Sequence, residues 1–239
     1  MKMSTAAQLE ADMIRYRDLA RVPVAESGDA LVVLDSASIR TRYLPTMTDM
    51  RRVFGNRVMV RKTVADKLLQ AQQLLRKINK KYSLCVTYGY RSAQIQENKF
   101  KEMIISITKK RFFPNPTDLY EEAHRFIAVP SVAGHPTGGA VDVVITNTQT
   151  AKFLDMGSKI YDFRSKNCYV FAKVSVTGRK NRLLLRNCML RAGFAPFDGE
   201  WWHFSYGDRE WARYYKKKNA LYGQLSIKQA KQALRSNTI

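Results

Sequence analysis

Two short stretches concentrate side chains that could hold an ion and move a proton. "GHPTGGAVDVVI" carries His135 and, seven residues on, Asp142, with Pro-Thr-Gly-Gly between them. "GEWWHFSYGD" carries Glu200 and His203 in an aromatic setting, in a chain with only 3 histidines. Two imidazoles and a carboxylate suit a catalytic zinc, which takes three protein ligands and leaves a fourth position for water. Glu200, close to His203 in sequence, is then a candidate base for that water. Gly138 and Gly139 permit a sharp bend, so a loop can carry His135 toward Asp142 on the strand that follows. Residues three apart on a regular strand face opposite sides, so a bulge or twist at Trp201-Trp202 is needed to turn Glu200 and His203 to one point. Each piece alone also fits a plainer account. A histidine among aromatics packs in cores, and an aspartate at a strand start caps turns.

The elements that must position these residues can be read from periodicity. In "TVADKLLQAQQLLRKINKK", Val64, Leu68, Ala71, Leu75 and Ile78 recur at helical spacing, behind a capping box of Thr63 and Asp66. "YSLCVTY" predicts a strand over 82–88. "AQIQENKFKEMIISITKK" predicts a second helix, ended near Pro114 and Pro116. "AVDVVI" has β-branched residues on both faces and predicts a central strand. "NRLLLRNCMLRAG" predicts a helix stopped by Gly193, "EWWHFSY" a strand, and "SIKQAKQALRS" a short C-terminal helix. The order α, β, α, β, α, β predicts an α+β fold: a small central antiparallel sheet carrying the candidate metal residues, with helices packed on it. The expected organisation is one catalytic domain over 1–239, with extensions at about 1–40 and about 215–239 packed against it.

Composition narrows the classes. A chain of 239 residues, 45% hydrophobic, can bury a core in one domain. No run of about 18 apolar residues exists, so no transmembrane segment is expected. The N-terminus lacks the unbroken apolar stretch of a secretory signal, which points to the cytoplasm, or to the periplasm or exterior if a leader was removed. Cys85, Cys168 and Cys188 are odd in number and lack ligand spacing, so they read as buried thiols. The net charge of +21 includes Lys109-Lys110-Arg111 and Lys216-Lys217-Lys218. It implies non-specific attraction to polyanions, but no nucleic-acid module accompanies it, so no specific nucleic-acid partner is expected.

Taken together, "HPTGGAVD" and "EWWH" resemble the SxHxxGxAxD and ExxH motifs of the VanX-type D-alanyl-D-alanine dipeptidases. That group of zinc peptidases also takes in D,D-carboxypeptidases and the hedgehog and lysostaphin-like folds. "GYRS" at 89–92 is similar to the family's GYRP, "LDMGSKIYDF" to its MGxxFD stretch, and "GFAPFDGEWWHFSYGDREWA" to its closing segment. The likeness runs from about Tyr43 to Trp211, with the motifs in order. It implies one Zn²⁺ per chain on His135, Asp142 and His203, with Glu200 as general base and Arg91 as oxyanion donor. It also implies hydrolysis of the small peptide D-Ala-D-Ala, with D,D- or L,D-carboxypeptidase or endopeptidase action on peptidoglycan as the alternative. Asp162 aligns with the acid that receives the substrate's amine. Ser131 is the serine nearest to the family's substrate-holding position, where Ala133 stands, and Tyr43 is a further pocket candidate. Tyr88 stands for the usual acid before GYR and Ser92 for the proline after it. Trp201 and Trp202 are expected to stiffen and dry the segment bearing Glu200 and His203, and His124 to be structural.

Overall fold

The computed structural model of the chain describes residues 13–45, 47–163 and 166–236. The first 12 residues of the expected N-terminal extension lie outside the described residues, as do the last 3 of the C-terminal one. The described elements run in this order: α1 (Tyr16–Ala20), β1 (Leu31–Val33), β2 (Arg40–Thr41), α2 (Asp49–Phe54), β3 (Met59–Arg61), α3 (Lys62–Ile78), β4 (Tyr82–Tyr88) and α4 (Ala93–Thr108). Then come α5 (Pro116–His124), β5 (Ala140–Asn147), α6 (Val176–Arg191), β6 (Ala195–Pro196), β7 (His203–Ser205), α7 (Arg209–Tyr214) and α8 (Ile227–Ser236). The α+β class holds. The main sheet has five strands in the order β2-β4-β5-β7-β6, and β1 pairs with β3 in a separate ribbon. Its pairings are antiparallel except for the parallel edge strand β2 on β4.

The residues of β4 and β5 sort by period two onto the two faces of this sheet. Leu84, Val86, Val143 and Ile145 join Leu68 and Leu75 of α3 and Leu185 and Met189 of α6 in one buried cluster. Both helices contact the sheet and each other. The opposite face carries Asp142, Val144 and Thr146 on β5, opposite Cys85 and Ser83 on β4. The register of β4 on β5 shifts between Val86 and Tyr88, so that Tyr88 pairs with Asp142. A bulge therefore turns the Tyr88 side chain onto the face of Asp142.

Several helix ends differ from the sequence reading. α3 starts at Lys62 and makes no side-chain cap of its own. The amide of Thr63 is instead met by Asp29 Oδ2 at 3.1 Å, and Asp66 pairs with Lys62. Ser92 caps α4, its hydroxyl accepting from the Ile95 amide at 3.3 Å. A serine at this position supplies the acceptor that a helix N-terminus needs and that a proline would lack. Among the described residues, no helix is long and apolar enough to cross a membrane. All three cysteines are buried and free.

Candidate active site

His135 lies in a single 3₁₀ turn, His135–Thr137, which ends at Gly138 with φ +74°. A Cβ at Gly138 would also meet Leu31 Cδ1 at 2.7 Å, so both conformation and space require glycine. The ring is fixed by Gly89, whose carbonyl oxygen is 2.8 Å from His135 Nδ1. A Cβ on Gly89 would lie 2.5 Å from Met59 O, so only glycine fits this crossing. With Nδ1–H donating to Gly89, Nε2 keeps its lone pair and faces Asp142 Oδ1 at 3.5 Å.

Asp142 and His203 are register partners across β5 and β7. His203 Nδ1 is 3.2 Å from Asp142 Oδ1. On its other side, His203 Nε2 is 3.3 Å from Glu210 Oε2. A carboxylate at Nε2 leaves Nδ1 as the free donor, directed at the same oxygen that His135 faces. One ligand atom from each of His135, Asp142 and His203 lies within 4.8 Å of the others. Asp142 Oδ2 accepts from Tyr161 OH at 2.9 Å. Burial opposes the charge of Asp142, yet the two histidines outweigh it and hold its carboxyl well below the usual range. Burial likewise opposes protonation of His203, but hydrogen bonds to Asp142 and Glu210 push its pKa up. His135, with no carboxylate on its second nitrogen, is lowered by burial.

The expected strand "EWWHFSY" is corrected by the structure. β7 begins only at His203, and the His203 amide donates to Glu200 O at 3.1 Å, closing a turn over the two tryptophans. That turn replaces strand alternation and brings Glu200 round to the cleft that His203 lines. Trp201 Nε1 donates to Ser158 Oγ at 3.1 Å, while the fully buried Trp202 packs edge-on against Tyr161 and Phe163. Both hold the turn through the core rather than contacting the ligand set. Burial pushes the Glu200 carboxyl up to about 8; His203 opposes the shift, and Asp142 and Glu210 add to it.

Arg91, 7% exposed, enters the same cleft from the end of β4. Its Nη1 donates to Gln96 Oε1 at 2.7 Å and its Nε to Tyr88 OH at 3.3 Å, with the guanidinium over the Tyr88 ring. Tyr88 OH in turn donates to Asp49 Oδ1 at 2.7 Å, and Asp49 pairs with Lys99. Tyr88 thus relays Arg91 to a carboxylate at the start of α2. Among the described residues Arg91 Nη2 makes no hydrogen bond, and it is free to serve a ligand.

The cavity is about 170 Å³, with an apolar flank that includes Ile14, Leu19, Phe126, Ile127 and Phe197. The other site candidates stand apart. Ser131 lines a separate cavity of about 80 Å³ with Gly223 and Gln224. Tyr43 is buried edge-on beneath Tyr88, its hydroxyl 3.2 Å from Arg57 O. Tyr161 and Phe163 line the cleft, but Asp162 between them does not. His124 lines the cleft, and its Nδ1 accepts from the Val129 amide at 3.2 Å, a structural tie. Sequence reasoning passed over Glu210, Tyr161, Asp49 and Gln96. A signal existed for one of them: Glu210 is a lone acid in the first turn of α7, set among the aromatics that follow His203.

A peptidase M15 family model, described as D-Ala-D-Ala dipeptidase, matches residues 26–220. A D-alanyl-D-alanine dipeptidase of Enterococcus faecium is 28% identical over 67% of this chain and 79% of its own. One from Synechocystis sp. is 23% identical over 83% of this chain and 90% of its own. Among solved structures, the LdcB LD-carboxypeptidase overlaps 79% of this chain and 72% of its own, at 20% identity and a TM-score of 0.44. The matched span contains His135, Asp142, Glu200 and His203, and on that match the chain belongs to the D-Ala-D-Ala dipeptidase family of metallopeptidases.

Proposed function

We propose that this peptidase hydrolyses free D-Ala-D-Ala with one zinc ion held by His135, Asp142 and His203, Glu200 acting as general base and Arg91 as oxyanion donor. Relatives with similar sequences carry the name D-alanyl-D-alanine dipeptidase. The observation that carries the reading is the donor set. Ligands of a tetrahedral zinc at about 2.0–2.1 Å stand about 3.4 Å from one another. Asp142 Oδ1 lies 3.2 Å from His203 Nδ1 and 3.5 Å from His135 Nε2. Both outer ring nitrogens are tied, to Gly89 and Glu210, as metal-binding histidines require.

Zinc bound there would polarise the scissile carbonyl and lower the pKa of the attacking water. The chain's own residues do the rest. Glu200, desolvated and basic, takes the proton from the attacking water and delivers it to the leaving amine nitrogen. Arg91, held on one side by Tyr88 and Gln96, presents its remaining N–H groups to the oxygen that gains charge. Trp202, Tyr161 and Phe163 keep bulk water from the base. Asp162 is the proposed partner of the substrate ammonium, from a segment whose neighbours line the cleft. Ser131 and Tyr43 would act indirectly, through Val132 and Tyr88.

A second reading, carboxypeptidase or endopeptidase action on a longer peptide, is favoured by one observation. The apolar flank extends past the ligand set as far as Ile14 and Phe197, more wall than two methyl side chains need. Metal analysis of the purified protein, beside release of D-alanine from the dipeptide and from a pentapeptide ending in D-Ala-D-Ala, decides. One zinc per chain and preferential turnover of the dipeptide are expected. Preference for the pentapeptide moves the assignment to the second reading, and turnover of neither by zinc-loaded protein rejects both.

A further inference from the structure

The sheet face that carries Asp142 continues to the other end of β5, where it floors a second cavity of about 480 Å³. The strand register shows what shares that floor. Ser83 pairs with Thr146 and Arg40 with Cys85, so these four lie on the Asp142 face, with Arg42 just past the end of β2. Arg76, from the last turn of α3, joins them at the cavity wall. Ser38 and Thr148 add hydroxyls. Four residues of β5 separate Asp142 from Thr146, about 13 Å of strand, so this is not an arm of the peptidase cleft.

Two features set the cavity apart from ordinary edge-strand charge. First, no acidic side chain lines it, and among the described residues none of Arg40, Arg42 and Arg76 forms an ion pair. Three arginines lining one cavity with no acid among them favour an anion there. Second, Thr146 is 3% exposed, and its hydroxyl has the Cys85 thiol beside it as its polar neighbour. A thiol is a weak hydrogen-bond partner, so burial of this hydroxyl carries a cost. An oxygen-rich ligand on the floor would remove that cost. Guanidinium groups are planar, permanently charged forks that match phosphate oxygens in pairs. A carboxylate, with two oxygens and one charge, uses less of this arrangement than a phosphoryl dianion.

We propose that the cavity formed by Arg40, Arg42, Arg76 and Thr146 is a binding site for a phosphoryl group, separate from the peptidase cleft. The site takes inorganic phosphate or a small phosphomonoester. The test is calorimetric titration of the zinc-loaded protein with inorganic phosphate and with glycerol phosphate, at ionic strength fixed with chloride. Arg42→Ala, Arg76→Ala and Thr146→Val are titrated beside the wild type. Each arginine variant should weaken binding by about tenfold or more, and the valine variant by a smaller factor, with the peptidase rate unchanged. The arginines are exposed, so these variants should fold, and Thr146→Val preserves the shape of the floor. Wild-type affinity in both arginine variants overturns the proposal, as does phosphate binding no tighter than chloride. Phosphate binding that disappears in His203→Ala but survives in Arg42→Ala assigns the anion to the cleft and also overturns it. Binding confined to vesicles containing phosphatidylglycerol, with none to the soluble phosphates, reduces the cavity to diffuse surface charge and rejects the site.

Discussion

One face of the β4–β5 pair serves two different electrostatic environments. At the Asp142 end, charged groups are buried and tied to one another: Asp142 to both histidines and Tyr161, His203 to Glu210, Arg91 to Tyr88 and Gln96. At the Thr146 end, exposed arginines surround a floor of small hydroxyls with no acid among the lining residues. The difference lies in desolvation. In a buried network every charge is strengthened and every orientation is fixed by a partner, so the geometry exists before the ligand arrives. At an exposed rim the charges are screened and the side chains mobile, so a ligand must supply the order itself. Substitutions should therefore be severe and specific at the first end and mild at the second.

The largest effect is expected for His203→Ala. It removes one donor of the set and leaves Asp142 and Glu210 facing each other across the gap. Bound zinc should fall from one per chain to near none, with hydrolysis at background. Full zinc occupancy in this variant would show that the ligand set is wrong. The matching change at the other end, Arg42→Ala, should leave both zinc and rate untouched.

Next come the residues proposed to act on the reacting atoms. Glu200→Gln should retain zinc while kcat drops by on the order of 10²–10⁴. Arg91→Ala should retain zinc and lose roughly 10²–10³ in kcat through the missing oxyanion donor. A wild-type rate in either variant rejects its assigned role. The base also predicts a pH dependence. Glu200 must be ionised to accept a proton, and burial raises its pKa from 4.5 to about 8 before any ion contributes. A bound dication favours the carboxylate and draws the value back down. The acidic limb of kcat/KM should therefore have its midpoint between those limits, with activity lost as pH falls through it. A midpoint at or below 4.5 would remove Glu200 from consideration.

A smaller effect separates positioning from chemistry. Glu210 touches His203 Nε2 and none of the reacting atoms. Glu210→Gln should weaken zinc affinity by about 10–100-fold, measured by chelator competition, while kcat at saturating zinc changes less. Unchanged affinity would make the 3.3 Å contact incidental.

The sequence was most readable where residue type was scarce and periodicity long. Three histidines left few ligand sets to consider, the apolar stripe Val64–Ile78 lies within α3, and the β-rich run over 82–88 coincides with β4. Local rules failed where a distant group replaced the local one. Thr63 was read as a cap, but Asp29 satisfies its amide from 34 residues away. "EWWHFSY" has strand composition, but the tryptophans are drawn into the core by Ser158, Tyr161 and Phe163, so the chain turns there. The bulge that carries Tyr88 to the face of Asp142 has no mark in the sequence. Nor does the tie of Glu210 to His203, since it exists only once β7 and α7 are folded beside each other.

The smallest predicted effect concerns stability. Asp208 caps α7, its Oδ1 accepting from the Trp211 amide at 2.9 Å. Its Oδ2 is buried beside the Ser205 hydroxyl and lies so close to Gly134 that a Cβ there would sit 2.2 Å away. Burial first, and the negative charge of Glu210 second, raise the carboxyl from 3.8 to about 6. The folded state therefore binds more protons than the unfolded state between those values, and stability must fall as pH rises through that window. Above it the cost of the buried charge is fully present, on the order of 1–3 kcal/mol. Asp208→Asn keeps an oxygen for the cap but removes the charge. The variant should match the wild type below about pH 4 and gain on it up to about pH 6, with a constant advantage at higher pH. Urea unfolding at four pH values across this range measures the difference, including the response of the neighbouring Glu210. Parallel stability curves would mean that Asp208 stays ionised at little cost, with the Ser205 hydroxyl meeting its second oxygen.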